Sequence, residues 1–259
     1  MLMNRIDYLF QNKQDRVLSI YVTAGYPELT ATLPIMEAIQ AAGADIIELG
    51  IPYSDPIADG PTIQESNTQA LQNGMSIKTL FNQLVGFRAK IQLPVILMGY
   101  LNPIIQFGVE EFCKKCKEVG VDGLILPDLP MSQYLEEYKA LFDSYGLYIS
   151  FLISPQTSEK RIREVDENSN GFIYMVSSHA ITGAKASISK EQEDYFERVA
   201  AMNLKHPRLI GFGISDSATF QLASRYSEGA IIGSAFIKHI STSKNLKQDI
   251  QNFIQGVLG

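Results

Sequence analysis

Two acidic residues that lie close together in the sequence are the first candidates for chemistry. Glu48 lies near the end of the apolar run 44–50, ADIIELG, and Asp59 follows in the proline-rich segment 51–62, IPYSDPIADGPT. An acid at the end of a buried strand loses hydration, which raises its pKa and allows it to donate and accept protons near neutral pH. Glu48 is therefore predicted to be an acid–base residue. The alternative is a structural glutamate bonded to neighbouring backbone or hydroxyl groups.

Three loop segments complete the candidate site. The segments 211–216, GFGISD, and 229–236, GAIIGSAF, each place glycine after an apolar run and before a helical pattern. Free N–H groups and the positive end of a helix dipole bind anions there, and glycine allows a phosphate to approach closely, so these segments predict a phosphate site. The alternative is two tight turns with serine as an N-cap. The polar segment 177–189, SSHAITGAKASIS, is either a mobile lid or a plain surface connection.

Metal, redox and Schiff-base chemistry lack suitable residues. No lysine ends a candidate strand, so a Schiff-base nucleophile is not expected. The histidines are scattered, at His179, His206 and His239. The only cysteines, Cys113 and Cys116, form CKKC inside a helical pattern, and no further ligand pair accompanies them. No metal site is therefore expected.

The composition favours a small-molecule substrate. The chain has 259 residues, 46% of them hydrophobic, and this length is sufficient for a large core. Its net charge of −6 argues against a nucleic-acid backbone or an anionic membrane as partner. The first sixteen residues, MLMNRIDYLFQNKQDR, are too charged for a signal peptide, and no apolar stretch of 18 residues occurs, so a cytoplasmic location is expected.

Apolar runs alternate with amphipathic segments along the whole chain. Runs that predict strands occupy 17–22, 44–50, 94–100, 121–126, 147–152, 171–177, 208–213 and 229–234. They are almost continuously apolar, which is typical of parallel strands covered on both faces. Eight β-then-α units predict an α/β fold, a single (β/α)8 TIM-barrel domain over residues 1–259, with an extra N-terminal helix. An open doubly wound sheet is the alternative. A barrel would bring the acids and the glycine segments together at the carboxyl ends of its strands.

Taken together, the motifs resemble the tryptophan synthase alpha subunit family. The matching segments are YVTAGYP, ELGIPYSDPIADGPTIQ, LMGYLNPI, LPDLP, ITGAK, GFGIS and GAIIGSAFIK, in this order over essentially the whole chain. The second of them is specific to that family, whereas other phosphate-binding barrels share the glycine segments. The resemblance implies retro-aldol cleavage of indole-3-glycerol phosphate to indole and glyceraldehyde 3-phosphate, without a metal or an organic cofactor.

The resemblance also implies roles for individual residues. Glu48 would protonate C3 of the indole ring and take the proton of the glyceryl hydroxyl, and Asp59 would accept the indole N–H. Thr182 would meet Asp59 when the lid closes. The residues implied to contact the substrate are Tyr21, Leu97, Ile125, Tyr174, Thr182, Gly183, Phe212, Gly213, Gly233 and Ser234, with Gly183, Gly213, Gly233 and Ser234 on the phosphate. For Leu97 and Ile125, a place in the barrel core is the alternative.

A partner subunit is implied as well. Members of the family pass indole through a tunnel to a beta subunit that carries pyridoxal phosphate, in an alpha2beta2 heterotetramer, and no pyridoxal phosphate is expected on this chain. The contact surface is expected to include Pro52, Asp55, Pro56, Asn102, Pro103 and Pro130. Two positions depart from the family pattern: Ala180 replaces a usual glycine in the lid, and Tyr21 replaces a common phenylalanine.

Two other functions remain as alternatives. The chain could be a non-catalytic activator of the beta subunit, although both acids argue against this. It could instead be another phosphate-sugar barrel enzyme, such as an isomerase of the histidine pathway. Those enzymes use paired aspartates at the ends of strands one and five, where this sequence reads YVT and FLIS.

Overall fold

The computed structural model describes residues 3–176, 189–211 and 213–259. Within these ranges the backbone forms one parallel sheet with the strand order β5-β4-β3-β2-β1-β9-β8-β7-β6. The strands are β1 (Val17–Thr23), β2 (Ile46–Gly50), β3 (Val95–Met98), β4 (Gly123–Ile125), β5 (Tyr148–Ile149), β6 (Leu152–Ile153), β7 (Ile173–Val176), β8 (Arg208–Gly211) and β9 (Gly229–Ile232). A strand occurs at each of the eight predicted runs, and the predicted α/β barrel is confirmed.

The fifth predicted strand is divided into β5 and β6, which form the two ends of the sheet order. The residues between them still bond to both neighbours: Ser150 N donates to Leu124 O at 3.0 Å, and Tyr174 N donates to Phe151 O at 2.9 Å. The Ser150 hydroxyl accepts the Phe172 N–H at 3.1 Å, so a side chain replaces one ladder contact. The bend therefore interrupts the strand without opening the barrel, which excludes the doubly wound alternative.

Helices cover the outside of the sheet. They are α1 (Arg5–Asn12), α2 (Thr32–Ala42), α3 (Pro61–Gln72), α4 (Ile77–Leu84), α5 (Leu101–Phe107), α6 (Val109–Val119), α7 (Met131–Gln133), α8 (Lys139–Tyr145), α9 (Glu159–Asn168), α10 (Lys190–Ala200), α11 (Ser217–Ala223), α12 (Ser234–Ser241) and α13 (Leu246–Leu258), with 3₁₀ turns at Leu29–Ala31 and Phe87–Ala89 and a π-helical turn at Tyr134–Tyr138. The sequence pattern did not predict α3 and α5. Each carries a proline in its first turn, Pro61 or Pro103, where the missing N–H costs nothing.

Helix α1, the predicted extra N-terminal helix, closes the amino-terminal end of the barrel. Ile6 is 1% exposed and packs inside the barrel. The lower interior cluster that surrounds it consists of Val17, Ile46, Ile96, Ile125, Phe172, Tyr174, Leu209 and Ile231. Arg5 Nη1 donates to Asp122 Oδ1 at 2.9 Å, and Val95 N donates to Asp122 Oδ2 at 2.8 Å, so one carboxylate ties the helix to the strands.

The two cysteines lie on α6 and are buried. Burial raises the pKa of the Cys113 thiol to about 12 and that of Cys116 well above its usual range, so both thiols are protonated and unreactive near neutral pH. Across the described ranges, no group of three or more His, Cys, Asp or Glu side chains is arranged to hold a metal ion. No helix in those ranges has the length and apolar character that crossing a membrane requires.

Substitution of Ile6 tests the closure of the barrel by α1. Ile6→Ala removes a side chain from the lower interior cluster, and we expect the free energy of unfolding to fall by about 2–5 kcal/mol. Tyr8→Ala on the same helix is the matched control, because Tyr8 is 63% exposed and its loss should change stability by less than about 0.5 kcal/mol. Urea unfolding followed by circular dichroism measures both. Equal effects of the two substitutions would show that α1 does not close the barrel.

Candidate active site

A cavity of about 500 Å³ lies at the carboxyl ends of the strands. Its wall combines strand ends, the loop before α3 and the loops that follow β8 and β9. The lining residues are Tyr21, Asp59, Gly60, Ile63, Met98, Tyr174, Gly213, Ile214, Ser215, Ile231, Gly233, Ser234, Ala235 and Lys238. Tyr174 and Ile231 also belong to the lower interior cluster, so this cluster forms the floor of the cavity. A concave, largely apolar space with a few polar groups is typical of a small-molecule site.

Glu48 is fully buried at the middle of β2. Ser19 Oγ donates to Glu48 Oε1 at 2.6 Å, whereas Glu48 Oε2 has no hydrogen-bond partner among the described residues. Burial raises the pKa of Glu48 to about 7, although the hydrogen bond from Ser19 acts in the opposite direction. Glu48 does not belong to the cavity wall. A carboxyl group with this pKa exchanges protons readily at neutral pH.

Asp59 lines the cavity and is held by its own loop and by Tyr100. Tyr100 OH donates to Asp59 Oδ2 at 3.0 Å and accepts the Ala58 N–H at 3.1 Å. Gln64 Nε2 donates to Asp59 O at 2.9 Å, which fastens the loop to α3. Desolvation raises the pKa of Asp59, and the hydrogen bond from Tyr100 partly offsets this rise. Asp59 is therefore a positioned acceptor at the edge of the cavity.

Two buried tyrosines stand near both acids, and glycines make room for them. A Cβ atom on Gly50 would lie 2.2 Å from the Tyr21 hydroxyl oxygen, and one on Gly211 would lie 2.4 Å from that of Tyr174. Desolvation raises the pKa of both phenols, and the charges of Glu48 and Asp59 raise it further, so both rings stay neutral. The tyrosines form an apolar wall next to the acids, and only glycine on the adjacent strand leaves space for each ring.

The glycine segments meet on one side of the cavity. Gly213 has a φ of +79°, which favours glycine, and Gly233 precedes α12. The first N–H groups of α12, beginning at Ser234, lack intrahelical partners. Lys238 stands one turn later on the same face, and it is the one basic side chain among the described residues of the wall. It forms no ion pair with a described residue. This side of the cavity is suited to an anion.

Sequence reasoning assigned some positions that the structure places elsewhere. Leu97 packs towards the helices, while the next residue, Met98, lines the cavity, because successive strand residues point to opposite faces. Ile125 lies in the lower interior cluster and does not reach the cavity wall. The remaining predicted contacts and the lid lie outside the described residues: Thr182, Gly183, Phe212 and Ala180.

Several wall residues were missed by the sequence analysis. They are Gly60, Ile63, Met98, Ile214, Ser215, Ile231, Ala235 and Lys238. Strand alternation from Glu48 would have favoured Met98, and the spacing of four from Ser234 would have favoured Lys238. Ile63 carried no such signal because α3 was not predicted.

The residues predicted to meet a partner fall into two groups. Pro52 and Pro56 are buried within this chain, so they shape the loop and offer no free surface. Asp55, Asn102 and Pro130 are exposed, and Pro103 is half-buried. Beside them Ile57 is 89% exposed, the largest value among the exposed large apolar side chains described. Such exposure of an isoleucine in an ordered loop was not predicted.

A parallel (β/α)8 barrel with positioned carboxyl groups and glycine-rich loops at the carboxyl ends of its strands defines a TIM-barrel enzyme. The family model described as "Tryptophan synthase alpha chain" matches residues 9–257. The chain belongs to the tryptophan synthase alpha chain family. It is accordingly a lyase of tryptophan biosynthesis with the indole-producing role.

Individual relatives agree with this membership. The tryptophan synthase alpha chain of Flavobacterium johnsoniae is 55% identical over 252 residues, which cover 97% of this chain and 98% of the relative. The crystal structure of the tryptophan synthase alpha chain from Legionella pneumophila subsp. pneumophila superposes with a TM-score of 0.87 at 33% identity, over 98% of this chain and 96% of that one. A tryptophan synthase structure from M. tuberculosis in the aminoacrylate-bound form gives 0.85 at 26% identity, with 98% of each chain covered.

Removal of the Tyr100 hydroxyl tests how Asp59 is held. Tyr100→Phe deletes a donor to the carboxylate, so we expect the pKa of Asp59 to rise further and indole production to fall about tenfold. Carboxyl ¹³C NMR titration and steady-state indole release measure the two effects. Tyr8→Phe is the control, because Tyr8 is 63% exposed on α1, away from Asp59. Equal activity of the two variants would contradict the role of Tyr100.

Proposed function

We propose that Glu48 and Asp59 cleave indole-3-glycerol phosphate by a retro-aldol reaction in the cavity. The observation that carries this proposal is the buried Glu48 carboxyl group, whose pKa is raised to about 7 beside a cavity that holds Asp59. A group that must first donate and then accept a proton works best when its pKa is near the working pH. Asp59, which lines the cavity, provides a carboxylate oxygen that can accept a hydrogen bond from the substrate.

The reaction balances with these groups alone. Glu48 gives a proton to C3 of the indole ring, and the positive charge that develops on the ring nitrogen is stabilised by Asp59. The Glu48 carboxylate then takes the proton of the hydroxyl group next to the ring, the bond from C3 to that carbon breaks, and its electron pair restores the indole. The former alcohol carbon becomes the aldehyde of glyceraldehyde 3-phosphate. Glu48 returns to its starting state and no electron carrier is used, so we propose no cofactor on this chain.

The two sides of the cavity suit the two ends of this substrate. The apolar residues Tyr21, Ile63, Met98, Tyr174 and Ile231 offer a surface for the indole ring. The N–H groups around Gly213, Gly233 and Ser234 suit the phosphate, and Lys238 adds a positive charge there. That charge offsets the repulsion that two nearby acids exert on an anionic substrate. Thr182, Gly183 and Phe212 remain proposals by resemblance.

The alternatives have less support. A non-catalytic activator would need neither the proton-exchanging Glu48 nor the positioned Asp59. An isomerase with paired aspartates at strands one and five would need acids where this chain has Thr23 at the end of β1 and Ser154 after β6. The same cavity geometry therefore favours the lyase.

We extend the proposal to a beta subunit that carries pyridoxal phosphate and forms an alpha2beta2 heterotetramer with this chain in the cytoplasm. Ile57 supports such a partner. It is 89% exposed, and covering an apolar side chain with another protein makes the free energy of binding more favourable. Asp55, Asn102, Pro103 and Pro130 would surround it. Residues 1–259 are proposed to be one domain, since Arg16 near β1 donates to Leu258 O in the last helix at 2.5 Å.

Substitution of Glu48 tests the catalytic proposal. Glu48→Gln keeps the size of the side chain but exchanges no proton, so we expect kcat/KM for indole-3-glycerol phosphate to fall about 10²–10⁴-fold. In the unsubstituted chain, activity should fall as the pH rises through about 7, because Glu48 must be protonated to donate its proton to C3. The control is Glu37→Gln, because the exposed Glu37 carboxylate pairs, among the described residues, with Lys90 alone. Near-normal turnover of Glu48→Gln would refute the proposal.

Substitution of Ile57 tests the partner surface. Ile57→Asp places a charge where an apolar contact is proposed, so the dissociation constant for the beta subunit should rise at least about tenfold. Val85→Asp is the control, because Val85 is 74% exposed at the end of α4, at the opposite end of the barrel. Titration calorimetry measures both constants. Equal binding by the two variants would exclude Ile57 from the interface.

A further inference from the structure

Ser19 is a buried hydroxyl in an otherwise apolar stretch of β1. It has no exposed surface, and its strand neighbours are Leu18 and Ile20. A buried hydroxyl costs free energy unless it is hydrogen-bonded. The single side-chain partner of Ser19 within the described residues is Glu48 Oε1, at 2.6 Å. The serine is therefore stabilised in this position through the carboxyl group of Glu48.

The hydrogen bond runs diagonally between the two strands. In the register of β1 and β2, Ser19 faces Ile46, while Glu48 faces Tyr21. Glu48 therefore reaches back by two residues, towards the amino-terminal end of the barrel, to meet Ser19. This direction explains why Glu48 is fully buried and absent from the cavity wall, although Tyr21 belongs to it.

The bond also makes the two carboxyl oxygens of Glu48 different. Oε1 accepts the Ser19 hydroxyl, so a proton carried by the acid resides on Oε2, the oxygen without a partner among the described residues. The donor stabilises the charged carboxylate more than the neutral acid. Ser19 thus acts on both the location of the proton and the ease with which it leaves.

We propose that Ser19 is a positioning residue whose hydrogen bond to Oε1 of Glu48 fixes the orientation of the carboxyl group and leaves Oε2 as the oxygen that carries the acid's proton. This inference rests on the proposed role of Glu48 as acid and base. Ser19 itself touches no reacting atom. Among the described residues, the other titratable groups that interact with Glu48 are Tyr21 from β1 and Tyr174 from β7, and Asp59 acts on the same two tyrosines. On β3 the residue in register is Ile96, which does not titrate.

The pH profile of kcat/KM is the readout that a purely structural role would not move. In Ser19→Ala the carboxylate loses its donor, so the limb near pH 7 should shift to higher pH by roughly one unit, a tenfold change in proton affinity. Ser19→Thr retains a hydroxyl group and should keep the limb at its original position. Carboxyl ¹³C NMR titration, with the Glu48→Gln spectrum for assignment, measures the same shift without turnover.

A matched control separates positioning from stability. Ser150→Ala also removes a buried hydroxyl, at the bend between β5 and β6, but that hydroxyl accepts the Phe172 N–H and makes no hydrogen bond to Glu48 or Asp59. Its free energy of unfolding should fall while its pH limb stays in place. An unchanged limb and unchanged titration in Ser19→Ala would overturn the inference. Full activity of Glu48→Gln would instead remove the proposed function itself, so the two failures are distinguishable.

Discussion

The burial of a carboxyl group inside an apolar barrel is the constraint on which the site depends. An isolated charge in such surroundings is costly, so Glu48 shifts its pKa towards neutrality instead of remaining ionised. The raised pKa of Glu48 requires that water be excluded from the amino-terminal end of the barrel. The lower interior cluster and α1 do this, because Ile6 fills the amino-terminal end of the barrel. A helix far from the cavity is thus part of the acid's environment.

Placement of the tyrosines follows from the same constraint. The bulky rings exclude water from the acids. Each ring needs a glycine on the neighbouring strand, Gly50 for Tyr21 and Gly211 for Tyr174, because a Cβ atom there would overlap the ring. The Tyr21 hydroxyl oxygen also lies 3.4 Å from Thr23 Oγ1. Thr23 Oγ1 in turn forms a hydrogen bond of 2.7 Å with Ser66 Oγ on α3. The additional hydroxyl of this tyrosine, relative to phenylalanine, is therefore directed to the joint between β1 and α3.

Sequence reasoning predicted the barrel and the acids because both depend on local patterns. Apolar runs predict strands, and Glu48 lies within the second of these runs, although the structure places it at the middle of β2 and not at its end. The resemblance implied a substrate contact for Leu97, with the barrel core as the alternative, and a continuous apolar strand does not reveal which residues point into the barrel. In the structure Leu97 lies in the core and Met98 lines the cavity. The resemblance implied that Pro52 and Pro56 belong to the partner surface, but both prolines are buried within this chain. The partner of Glu48 was not predicted, since the bond to Ser19 joins two strands across a diagonal.

The segment between β2 and α3 connects an outer surface with the cavity that is proposed to bind the substrate. Ile57 points outward, and two residues later Asp59 lines the cavity, so a shift of the outer part moves the inner part over a very short path. A second path runs beside it: exposed Asn102 donates to Tyr53 OH at 3.4 Å, and the Tyr53 ring packs on that of Tyr100, which holds Asp59. Both paths end on the acid whose acceptor oxygen faces the indole nitrogen in the proposed reaction. A protein bound at this surface would therefore act on the charge stabilisation step, whereas Glu48, fixed on β2 and bonded to Ser19, would be insulated from it.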